Sequence, residues 1–98
     1  MDVTYTLNGV CFVWDNDKAN RNIQRHSGIT FEQAAQAFFD PFIRVVDASR
    51  NNEERDAVIG MDNQWKLLFV VHIQIEDDQI RIISAREATR TERNYYED

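Results

Sequence analysis

The chain has 98 residues, 43% hydrophobic and 29% charged, enough for one domain with a modest core and too few for a second. Its formal net charge of −6 argues against a surface that is basic all over, as a nucleic-acid binder's usually is. Apolar runs such as residues 67–71 are far too short to span a bilayer.

The N-terminus MDVTYTLNGV lacks both the basic and the apolar region of a secretory signal, and the single cysteine, Cys11, reads as a small hydrophobe in an apolar run. A reducing cytoplasm is expected. Residues 10–14 form a short first strand, and Asp15 is a good N-cap for the helix that follows. On that helix Lys18, Asn22 and His26 share one face, Ala19 and Ile23 mark an inward stripe, and Ser27-Gly28 ends it. Thr30 with Gln33 makes a capping box, and Phe31, Ala34, Ala35 and Phe38 keep helical core spacing until Asp40-Pro41.

The pattern then turns to β. Residues 43–46 read as a strand and 47–54 as a polar loop. Residues 57–61, 65–75 and 79–85 read as three antiparallel strands joined by turns at Asp62-Asn63 and Asp77-Asp78. The middle strand, WKLLFVVHIQI, is apolar on both faces and needs cover on both. In IRIISAREATRTERNYY, Ile80, Ile82 and Ser84 alternate with Arg81, Ile83 and Ala85 before a capping box, Thr89 with Glu92, opens a terminal helix. Trp14, Phe31, Phe38 and Trp65 read as core aromatics.

This order predicts one α+β domain: two N-terminal helices packed on a mainly antiparallel sheet of four to five strands, with a C-terminal helix. Cations gather in two places, Lys18, Arg21 and Arg25 on the first helix and Arg81, Arg86, Arg90 and Arg93 around the last strand–helix junction. If both hairpins have two-residue turns, Gln74 opposes Arg81, His72 opposes Ile83 and Arg55 opposes Val70, which brings Arg55, His72 and Arg81 to one face. The acidic clusters lack metal-ligand spacing, and Gly9, Gly28 and Gly60 make no phosphate-cradling loop. Neither a metal nor another cofactor is expected.

Taken together and in order, WDNDKANRNIQRH, TFEQAAQAFFDP, ERDAVIG, LLFVVH and IRIISAREATRTERNYY, covering about residues 12–97, closely resemble the BrnT family of toxins from bacterial type II toxin–antitoxin systems. The resemblance implies a RelE-like fold and ribonuclease activity. It also implies a BrnA-type ribbon-helix-helix antitoxin that neutralises the toxin and binds operator DNA, so that this chain meets DNA only through its partner, with room for a homodimer inside the complex. The family pattern falls on Trp14, Asp15, Lys18 and His26, on Phe31, Glu32, Asp40 and Pro41, on Arg55, Gly60 and His72, and on Arg81, Ser84, Arg86, Ala88, Thr89, Arg90, Glu92, Arg93 and Tyr96.

Metal-free RNA cleavage needs a base for the ribose 2′-hydroxyl, cations for the phosphorane and an acid for the leaving 5′-oxygen. Arg55, Arg81 and Arg86 are the candidate phosphate holders, because a guanidinium stays charged and forks onto two oxygens. His72 or His26 would carry protons, with Lys18 and Tyr96 assisting, and Lys18, Arg21, Arg25, Arg81 and Arg90 would bind RNA. Plainer roles stand beside these. His72 can be a hydrogen-bonded core histidine, Lys18 and His26 solvated, Arg81 or Arg86 a partner of Glu92 or another carboxylate, Arg90 and Arg93 a solvated or partner-facing surface, and Tyr96 a packing residue. For the whole chain the rival is a catalytically inactive interaction module, in keeping with the −6 charge.

Overall fold

The computed structural model describes every residue except 77, and among the described residues six strands and three helices follow one another. They are β1 (Asp2–Leu7), β2 (Val10–Asp15), α1 (Asn16–Arg25), α2 (Phe31–Ala37), β3 (Arg44–Asp47), β4 (Asp56–Met61), β5 (Leu67–Ile75), β6 (Gln79–Glu87) and α3 (Arg90–Glu97). The strands form one sheet in the order β1-β2-β6-β5-β4-β3. All neighbours are antiparallel except β2 and β6, which run parallel where residues 11–13 lie beside residues 79–81.

The α+β class matches expectation, whereas the helix arrangement differs in detail and the sheet has six strands instead of four to five. The addition is β1. Val3, Tyr5 and Leu7 turn inward on alternate positions, and Asn8-Gly9, at φ 49° and 79°, makes the tight turn into β2. Asn and Gly tolerate that left-handed region best, which is why this dipeptide closes hairpins.

The helix ends follow the sequence closely. Asp15 accepts the Lys18 backbone N–H at 3.0 Å, and both capping boxes form, Thr30 with Gln33 and Thr89 with Glu92. Trp14, Phe12, Phe31, Ala34, Ala35, Leu68, Val70, Ile82 and Ala85 pack into one core between α2 and the first face of the sheet. A Cβ on Gly60 would stand 2.5 Å from the Ala37 carbonyl oxygen, so the end of α2 lies directly on the β4 backbone. Two core assignments fail. Trp65 is 82% exposed at φ 66°, and Ile23 is 39% exposed while Asn22 takes the buried position on α1.

The second face is covered at one end by α3. Arg86, Phe69, Ile59 and Arg44 pair across β6, β5, β4 and β3 in one row. Helix α3 crosses that row, with Glu92 bonded to Arg86 and the Tyr95 ring 5.2 Å from the Arg44 guanidinium. At its far end the Tyr96 hydroxyl donates to Asp40 at 2.5 Å. This accounts for the two-sided apolarity of β5.

The strand register differs from the sequence expectation in three places. Met61 pairs with Leu67, so β4 and β5 are joined by residues 62–66 rather than a two-residue turn, with the Asp62 carboxylate accepting the Gln64 and Lys66 N–H groups. The expected Asp77-Asp78 turn includes residue 77, outside the described residues, but Ile75 pairs with Gln79, and Ile73 rather than Gln74 opposes Arg81. Finally, Val71 pairs with Ser84 while His72 pairs with Ile82, which leaves Ile83 as an extra residue in a β-bulge.

Candidate functional site

The strand register decides which side chains meet. His72 shares the helix-covered face with Ile82, and its ring stands edge-on to Phe38 at 4.8 Å between centroids. Burial holds its pKa below the ordinary histidine value, against the opposing pull of the Val70 carbonyl and Asp56. Arg55, just ahead of β4, and Arg81, opposite Ile73, belong to the other face. The expected convergence of Arg55, His72 and Arg81 is therefore corrected: the five-residue loop before β5 and the pairing of Ile75 with Gln79 after it, each shifting the register by an odd number of residues, put the histidine on the opposite side.

On the second face, beside α3, lies a cavity of about 240 Å³ lined by Arg50, Arg55, Phe69, Val71, Ser84 and Arg86. A cleft of about 180 Å³ adjoins it, lined by Lys18, Arg21, Arg25, His26, Ile83 and, again, Ser84. Asn22 holds the two together. Strand β2 pairs with β6 only as far as Arg81. Beyond that point the Asn22 amide stands in for a strand, donating to the carbonyls of Ala85 at 2.8 Å and Ile29 at 3.0 Å and accepting the Ala85 N–H at 3.1 Å. Lys18 and His26, one turn to either side, line the cleft as their shared face predicts.

Lys18, Arg21 and Arg25 thus lie on one side of Ser84 and Arg50, Arg55 and Arg86 on the other, six of the chain's 11 lysines and arginines. Past Arg55 the surface changes sign, in a hollow of about 430 Å³ lined by Asp47, Glu54 and Asp56.

Several arginines already have carboxylate partners. Arg86 is gripped by both oxygens of Glu92 at 2.7 and 2.8 Å and lies over the Phe69 ring at 4.2 Å. That pair raises the Arg86 pKa and lowers the Glu92 pKa. Arg81 binds Asp2 of β1 at 2.6 Å, which lowers the Asp2 pKa, and Arg55 binds Glu53 at 2.8 Å. Arg90, the first residue of α3, is exposed.

Tyr96 is in neither cleft. It lines a hollow with Phe42, Ile43 and Arg44 near the β3 edge. Burial, joined by its bond to Asp40, pushes its pKa up to about 12. Burial alone would raise the Asp40 pKa too, but the Tyr96 hydroxyl and the Met61 and Phe42 N–H groups outweigh it and hold the carboxyl below its ordinary value.

Sequence reasoning missed Arg50 and the joining position of Ser84. Arg50 precedes Asn51-Asn52, at φ 52° and 65°, a two-residue turn whose flanking residues Arg50 and Glu53 form a bridge, so the dipeptide was a usable signal. Ser84 faces the cations only because of the bulge. Among the described residues no three His, Cys, Asp or Glu side chains come together as a metal site, and no helix is long and apolar enough to cross a membrane.

Residues 14–92 match the family model described as ribonuclease toxin, BrnT, of type II toxin-antitoxin system. No curated protein matches the sequence. With most of its length inside the family match, the chain belongs to the BrnT family, and β1 with the start of β2 lies ahead of the matched segment.

Proposed function

We propose that this chain is the toxin of a type II toxin–antitoxin pair and an endoribonuclease that works in the basic track running from α1 across Ser84 to Arg55. The observation that carries this reading is the gathering of six cations on either side of Ser84 in a protein of net charge −6. A polyanion is the ligand that such a local reversal of sign suits.

The reaction would be attack of a ribose 2′-hydroxyl on the neighbouring phosphorus, leaving a 2′,3′-cyclic phosphate and a free 5′-hydroxyl, with no metal required. Arg50, Arg55 and Arg86 would hold the phosphate oxygens and stabilise the phosphorane charge. His26, in the adjoining cleft, would take the 2′-hydroxyl proton, and Lys18 beside it would supply the one needed by the leaving oxygen. Arg21, Arg25, Arg81 and Arg90 would guide the strand. His72, neutral and packed on Phe38, and Tyr96, committed to Asp40, are left to structural work in this scheme. A BrnA-type ribbon-helix-helix antitoxin would neutralise the chain in the cytoplasm, carry any operator contact and set the stoichiometry, including any toxin homodimer.

Purified protein incubated with RNA in excess chelator should give products ending in cyclic phosphate. Arg55→Ala and His26→Ala should lose that activity while remaining folded. Intact RNA after incubation with folded wild-type protein would remove the catalytic claim.

One observation favours a second reading, a toxin-like module that binds its partner without cleaving. Arg55, Arg81 and Arg86 are each already bonded to a carboxylate, which a phosphate must share or displace. RNA retention without cleavage in the same assay would establish it.

A further inference from the structure

Glu92 is bonded more richly than a helix cap requires. Its Oε1 accepts the Thr89 backbone N–H at 2.9 Å and an Arg86 Nη1 hydrogen at 2.7 Å, while its Oε2 accepts from Nη2 at 2.8 Å. The Glu87 carbonyl takes a second Nη1 hydrogen at 3.2 Å, and the Phe69 ring supports the guanidinium face at 4.2 Å. What this leaves is the other edge of the fork, the Nε–H and one Nη2 hydrogen, spaced to meet two oxygens of one phosphate.

We infer that Glu92 is a positioning residue, holding Arg86 on Phe69 with one fork edge open to the substrate phosphate, an assignment that rests on the ribonuclease reading above. Two physical arguments support it. Arg86 shares its cavity with Arg50 and Arg55, and without a counter-charge their mutual repulsion would drive the long Arg86 side chain toward solvent. Ordering a free arginine side chain also costs conformational entropy, which an arginine already fixed by Glu92 does not lose again when RNA binds. Glu92 is also the third residue of the α3 capping box, so one carboxylate serves both the helix start and Arg86. The pair of Arg81 with Asp2 differs here, since its carboxylate comes from a strand ahead of the family match and caps nothing.

The test uses Glu92→Gln, which keeps an oxygen for the Thr89 N–H but loses the charge and the double grip. Single-turnover cleavage should slow by about 10- to 100-fold, the cost of a reactive group displaced by an ångström or so. Affinity for an uncleavable 2′-O-methyl RNA should change by less than the cleavage rate, because the positive charge gained by the track offsets the cost of ordering Arg86 on binding. Thr89→Ala serves as the control. It breaks the same cap without touching Arg86, and should lower the melting temperature while leaving the cleavage rate of the folded protein intact. The Arg86 Nε–H resonance, ordered in the wild type, should become motionally averaged in Glu92→Gln. A cleavage rate within about twofold of wild type overturns the inference, and so does an Nε–H signal equally ordered in both proteins. If the wild type itself does not cleave, the ribonuclease reading fails separately, and the Arg86 resonance alone decides whether Glu92 positions it.

Discussion

Val71 and His72 are consecutive residues of one strand, yet they belong to different worlds. His72 is pressed against Phe38 under the helices with Ile82 opposite, while Val71 floors an arginine-lined cavity with Ser84 opposite. Both faces of the sheet receive aliphatic side chains from the same alternation. What separates them is cover: α2 closes the first face, and α3 closes only one row of the second. The bulge at Ile83 then adjusts the contents. Simple alternation would put Ser84 under the helices with Ile82 and turn Ala85 toward the arginines, but with one extra residue Ala85 goes to the core and Ser84 to the track. A single residue of slip therefore assigns every later side chain of β6 to its side.

The most damaging way to blur that separation is to remove what holds β6 just beyond the bulge. Asn22→Ala leaves the Ala85 N–H and the carbonyls of Ala85 and Ile29 without their partner. Each unsatisfied group costs about 1–3 kcal/mol, partly recovered if water enters, so urea unfolding should show a loss of about 3 kcal/mol. Cleavage should fall as well, because both clefts are built on this stretch of β6.

Arg55→Ala probes the open face alone. Losing one preorganised donor to a developing phosphorane should slow cleavage about 100-fold, or ~2.7 kcal/mol in the barrier. The residue's partner Glu53 is exposed, so the urea midpoint should hardly move. Equal losses of stability and activity would mean that Arg55 supports the loop and not the phosphate.

The local signals in the sequence were reliable where one residue type has one cheap conformation. Asp15, Thr30-Gln33 and Thr89-Glu92 were readable as caps because side chain and backbone meet within a single turn. The BrnT motifs were legible for the same reason, being contiguous. Non-local geometry was not legible. Nothing near β2 announces that it pairs in parallel with β6, and nothing near Ile83 announces a bulge followed by a backbone stretch that Asn22 binds from 63 residues away. The error in Trp65 has a similar origin. Its size suggested core, but Asp62 organises a turn that turns the ring outward, and that depends on the Asp62 carboxylate being held in turn by Gln33. Asn8-Gly9 is different, since the dipeptide was itself a hairpin signal and the alternation of β1 supported it.

Tyr96→Phe tests whether α3 must be fastened at its far end for the open face to keep its shape. Loss of the bond to Asp40 should cost about 1 kcal/mol. The pH dependence gives an independent check. Tyr96 has a folded pKa of about 12, raised from 10.0, so its contribution is intact below pH 10 and is lost as pH rises toward 12. Asp40 has a lowered folded pKa, so its contribution is intact above the ordinary carboxylate range and is lost on acidification. In the phenylalanine variant the alkaline loss from this site should disappear. A cleavage rate that drops more than the folded fraction would show α3 shaping the track directly.

The smallest expected effect is the sharpest test of the two faces, because on the proposed ribonuclease reading the buried histidine does nothing for the chemistry. Burial lowers the His72 pKa in the folded protein, so the unfolded chain binds a proton there more readily. Stability from this site should therefore be fully present above pH 6.5, the ordinary histidine value, and should decline as pH falls below it. His72→Gln has no such proton to bind, and its unfolding free energy should lose that part of the acid-side slope. Cleavage at neutral pH should remain within about twofold of wild type. If the folded variant instead loses most of its activity, the imidazole communicates with the phosphate site through the sheet, and α2 does not isolate the two faces as the geometry indicates.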